Sequence, residues 1–130
     1  MIIKDENGDL LAIVLRPADS DNSKHFATDN EIELQLASFK LEEGDEILRH
    51  YHPKQERNIS LTSEVILVTD GKIEVEIYDN NLDLYATEII NEKEVIALFS
   101  GGHKITMLED AKFIEVKQGP YDPKTDKKHF

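Results

Sequence analysis

Between Lys72 and Tyr78 the apolar residues Ile73, Val75 and Ile77 alternate with Lys72, Glu74 and Glu76, the period-two pattern of a strand with one face in a core and one in water. Three other stretches are apolar at nearly every position: residues 10–15 (Leu-Leu-Ala-Ile-Val-Leu), 64–69 (Glu-Val-Ile-Leu-Val-Thr) and 94–99 (Glu-Val-Ile-Ala-Leu-Phe). Each is too short for a helix of typical length and rich in β-branched residues, so each reads as a strand covered on both faces. Extended along the chain, the same criteria predict strands over residues 9–16, 31–42, 45–52, 64–69, 72–78, 83–90, 94–99, 103–108 and 111–117. Asp70-Gly71 lies between two of them and is the strongest hairpin signal, because a tight turn needs residues that accept positive φ. Asp79-Asn80-Asn81 closes the next pair. Residues 18–30 read as a polar surface loop and the last dozen as an irregular tail folded back as a cover. Many short strands and no helical period make an all-β sandwich or barrel.

A chain of 130 residues with 39% hydrophobic content suits one domain with one core. The reading is therefore a single domain over 1–130, with N-terminal strands in 1–16, a barrel core over about 31–118 and a tail over 119–130. One barrel interior covers one face of each strand, so the doubly apolar strands point to a second copy of the chain, a homodimer. With 27 acidic against 15 basic residues the net charge is −12, which opposes partnership with nucleic acid or anionic lipid. No apolar run approaches a membrane span and the N-terminus carries no secretion pattern, so the expected location is cytoplasmic.

The histidines are the residues most suggestive of chemistry. His50 and His52 form a His-x-His pair, which in an extended strand projects two imidazoles from one face about 7 Å apart along the chain. His103 follows Gly101-Gly102 directly. With zero cysteines, only His, Asp and Glu can hold a metal ion, and such nitrogen and oxygen donors suit Zn, Ni, Fe, Mn or Co. His25, in the polar loop, and His129, in the tail, receive no role. Arg49, Tyr51, Lys54 and Arg57 flank the histidine pair and are candidates to hold an anionic sugar or carboxylate.

The order Gly44, five residues, His50-x-His52, then Glu64, six residues, Gly71, and later Gly101-Gly102-His103 resembles the two motifs of the cupin superfamily, over roughly residues 42–118. The end of the chain, from Ile114-Glu115-Val116-Lys117 through Gly119-Pro120-Tyr121-Asp122-Pro123 to Asp126-Lys127, is similar to the terminus of the WbuC-like cupin metalloproteins linked to surface polysaccharide synthesis. The resemblance implies a small double-stranded β-helix, or jelly-roll, barrel. It implies one divalent ion held on the inner wall by His50, His52, Glu64 and His103. The family's usual spacing would select Glu56 as the carboxylate; Glu64 is preferred because it opens a regular strand and shares a face with Ile66 and Val68, whereas Glu56 lies in a polar segment. The second motif lacks its usual proline and asparagine, and neither departure touches a ligand.

Three functions fit these residues. The first is a metal-dependent enzyme that isomerises or epimerises a small sugar-like substrate, with oxygenation at iron as a variant. A second is a non-catalytic binding module whose ion holds a small acid or sugar. The third is a metal-free sugar-nucleotide epimerase with His50 or His52 as general base. One fold hosts many chemistries, so the sequence leaves the reaction and its substrate open.

Overall fold

The computed structural model describes residues 1–16 and 24–130. Its described residues are all-β, with the strands β1 Ile2–Lys4, β2 Leu10–Leu15, β3 Lys24–Phe26, β4 Ala37–Phe39, β5 Glu64–Asp70, β6 Lys72–Tyr78, β7 Leu84–Asn91, β8 Val95–Leu98, β9 Gly102–Met107 and β10 Lys112–Lys117. Among the described residues no helix is long and apolar enough to cross a membrane. The chain divides into two compact units, one of Met1–Pro17 with Leu61–Phe130 and the other of Ala18–Ser60.

The larger unit holds two antiparallel sheets, one in the order β1-β2-β8-β5-β10 and the other β7-β6-β9. Neither closes on itself into a barrel among the described residues. They share one core: Ala12, Val14, Ile66, Val68, Ile96 and Leu98 from the first sheet meet Ile73, Val75, Ile77 and Ile90 from the second. These follow strand alternation, and each fully buried Ile or Val contributes roughly 1.5–3 kcal/mol. The chain passes repeatedly between the sheets. Asp70-Gly71 is one such passage: Gly71 has φ +77° as the turn signal requires, yet β5 pairs with β8 and β10 while β6 pairs with β7 and β9. The expected hairpin is thus a corner between sheets, and a Cβ at Gly71 would come within 2.2 Å of the Asp110 carbonyl oxygen. Asp79-Asn80-Asn81 does close a paired hairpin, β6 with β7. Its Asp79 carboxylate accepts from the backbone N–H groups of Asn81 and Asp83.

The smaller unit departs most from the sequence pattern. The strand expected over residues 31–42 is reduced to Ala37–Phe39, which pairs with Lys24–Phe26. Before it, Gln35 donates to the carbonyls of Asp29 and Ile32, and Thr28 Oγ1 accepts from Leu36 N, so side chains take backbone partners that a ladder would use. Residues 45–52 are not a strand: among the described residues nothing pairs with them, and Ile47, Leu48 and Tyr51 are exposed. Apolar alternation there had no adjoining ladder to complete. Of the loop expected over 18–30, residues 18–23 lie outside the described residues and Lys24–Phe26 form β3.

Candidate functional site

Strand register carries polar side chains into one end of the sandwich. In antiparallel pairs opposed residues share a face, so Ala12, Leu98, Glu64 and Lys117 form one row across β2, β8, β5 and β10. Ala12 and Leu98 lie in the core. Glu64 and Lys117, nearer the sheet edge, therefore lie on the same inner face. In the second sheet His103 is opposed to Ile77, whose side chain is fully buried, which puts His103 on the inner side of β9.

These two rows meet where both turn polar. His103 Nε2 lies 3.2 Å from Glu64 Oε2. Glu64 is the more enclosed of the two, with 16% of its side chain exposed against 33% for His103. The hydrogen bond from His103 holds the Glu64 carboxyl below its ordinary range; burial opposes the shift, and the charges of His103 and Lys117 add to it. Lys117 Nζ stands 3.8 Å from Glu64 Oε1, so the two carboxylate oxygens face different side chains. Lys117 is in turn 2.7 Å from Asp126 Oδ2 and 3.9 Å from Glu115 Oε1.

Gly101 delivers His103 to this place. Its φ is +73°, and a Cβ there would come 2.1 Å from the Tyr78 carbonyl oxygen, so the passage from β8 to β9 requires glycine.

His50 and His52 belong to the other unit. They do adjoin, with ring centroids 5.3 Å apart and planes near perpendicular, although the segment is irregular rather than a strand. His50 Nδ1 lies 2.8 Å from the Leu48 carbonyl oxygen. A carbonyl only accepts, so Nδ1 is the donor in this contact. Arg49, Tyr51, Lys54 and Arg57 are exposed along the same segment, as is Glu56. Arg57 donates to Gln55 Oε1 at 3.2 Å. The four residues assigned to the ion thus appear as two pairs, one in each unit. Among the described residues no three His, Asp or Glu side chains are grouped so as to hold a metal ion.

The sequence pattern missed Lys117 and Asp126. Lys117 ends an edge strand and Asp126 sits in the tail, and only the parity of Phe113, Glu115 and Lys117 hints at an inward polar row. Comparison with protein-family models, with curated proteins and with solved structures finds no match to this chain.

Proposed function

We propose that this chain is a metal-binding protein of cupin type that binds a small sugar-like molecule at one divalent ion, with metal-assisted isomerisation or epimerisation as its reaction. The observation that carries the reading is the 3.2 Å between His103 Nε2 and Glu64 Oε2. Two donors bonded to one ion at the usual lengths stand about 3.0–3.4 Å apart, so this nitrogen and oxygen suit a shared ion. His50 and His52 enter this reading through the spacing of the sequence motifs, as the family resemblance implies. A jelly-roll topology and a cytoplasmic homodimer belong to the same reading. Bound there, the ion would act as a Lewis acid on a carbonyl or enediolate oxygen. Glu64 and His103 lie where the inner faces of the two sheets turn polar, with 16% and 33% of their side chains exposed.

Elemental analysis of the purified protein should find about one divalent ion per chain, and added Ni, Mn, Fe or Zn should raise the melting temperature of stripped protein. His52→Ala and His103→Ala should each remove the ion. Glu64→Gln should weaken binding, whereas Glu56→Gln should leave it unchanged because that carboxylate is exposed. No metal in the protein, together with no thermal response to any of the four ions, rejects the reading.

One geometric fact favours a second, metal-free reading: an imidazole hydrogen-bonded to a carboxylate is also the arrangement of an oriented acid–base pair. In that case His103, rather than His50 or His52, is the proton carrier, and turnover of a sugar substrate survives chelation.

A further inference from the structure

The tail after β10 does not trail away from the sandwich. Asp122 turns it back: its carboxylate accepts from Lys124 N at 2.9 Å, and its carbonyl accepts from Thr125 N and Asp126 N at 3.1 and 2.9 Å. This turn presents Asp126 to Lys117 at 2.7 Å, with the Asp126 side chain 9% exposed. Tyr121 caps the same ammonium, which stands 5.0 Å from the ring centroid. Farther on, Phe130 packs edge-on against Tyr78 at 5.0 Å and fills the space that a Cβ at Gly102 would need. The tail therefore grips β10 of one sheet and the β6–β9 pair of the other, beside Glu64 and His103.

We propose that the C-terminal segment is a working part of the candidate site: Asp126 is a positioning residue that fixes Lys117, and Lys117 in turn fixes Glu64 so that Oε2 is directed at His103. The inference rests on the reading of Glu64 and His103 as a ligand pair, and concerns what orients them. Lys117 has a flexible four-carbon stem and three donors, and alone it could settle against Glu64, Glu115 or water. With Asp126 and Tyr121 holding it, Nζ stands 3.8 Å from Glu64 Oε1. The oxygen left over is the one 3.2 Å from His103.

The sign of a double-mutant cycle tests this without any metal. If Asp126 holds Lys117 in place for Glu64, Asp126→Asn already weakens the Lys117–Glu64 contact, so adding Glu64→Gln lowers the melting temperature by less than the sum of the single losses. Were Asp126 merely a competitor for Lys117, removing both acids would cost more than that sum. Independent sites would give additivity. In the Lys117→Met background the coupling should vanish, and with Lys117 in place Asp126→Glu, unlike Asp126→Asn, should keep it in part, which a purely structural tail would not do. A second arm measures cobalt(II) affinity by calorimetry: Asp126→Asn should weaken it about ten-fold, the effect usual for a partner that orients a ligand, and Glu115→Gln should not. An additive or more-than-additive cycle overturns the proposal, as does unchanged cobalt affinity in Asp126→Asn when the wild type binds cobalt. A less-than-additive cycle in a protein that binds no cobalt upholds the positioning role and rejects the metal reading instead.

Discussion

Glu64 shows how far a single residue could be read from the sequence. Its candidacy rested on alternation, since it shares parity with Ile66 and Val68, and the structure buries both while leaving Glu64 at the margin of the same face. His103 was singled out by its place directly after Gly101-Gly102, and of these Gly101 is the one that takes positive φ, at +73°. The Glu64–Lys117 contact was not legible, because it depends on which strand lies beside β5, and no local pattern encodes that neighbour. Titration of Glu64 follows from these contacts. Its folded pKa lies below the ordinary 4.5, chiefly through the His103 hydrogen bond. A depressed carboxylate stabilises the fold fully above its unfolded pKa, and that contribution is lost as pH falls through the folded value. Melting temperature should therefore decline below about pH 4.5, and the decline should be shallower in Glu64→Gln. Glu76, also depressed by hydrogen bonds from Lys104 and then Tyr78, titrates in the same window in both proteins. The difference between the two curves isolates Glu64, and identical curves would mean that the His103 contact is absent in solution.

Two kinds of element were read nearly to their ends: β6 over Lys72–Tyr78, with its unbroken two-residue period, and the doubly apolar β5 over Glu64–Asp70. Two kinds were not. Strands of three residues, such as β3 and β4, are too short to display a period. Residues 45–52 have the composition of a strand, but pairing is a property of two segments and not of one. Burial by element also sets what a substitution should do. Ile77 is fully enclosed between the sheets, so Ile77→Ala should cost about 2–5 kcal/mol in a denaturant titration. At concentrations low enough to keep the chain single, Ile114, on the outer side of edge strand β10 and 54% exposed, should cost less than about 0.5 kcal/mol on the same change. Comparable losses at the two positions would show that β10 is covered in solution.

At the scale of the molecule the doubly apolar strands raised the question of what lies on their second face. The single chain answers part of it: Ala97, on the outer side of β8, and Phe99, the residue after that strand, are already buried. The remainder lies at the sheet edge, where Ile114 and Val116 stand on the outer side of β10 beside the partly exposed Val65 and Leu67. An edge strand with apolar, unpaired flank is a template for another strand, and natural edges usually carry charge or proline to prevent this. Here the outward positions of β10 carry Ile and Val. The net charge of −12 opposes self-association at long range and is screened beyond about 8 Å at physiological salt, so pairing of two copies through this edge should strengthen as salt is raised. Light scattering should give a mass near twice 14.9 kDa. Val116→Lys, at a position 59% exposed in the single chain, should split the pair while leaving the melting curve of the monomer intact. A wild-type monomer at high micromolar concentration and moderate salt would remove the dimer from the proposed reading and leave β10 as a free edge.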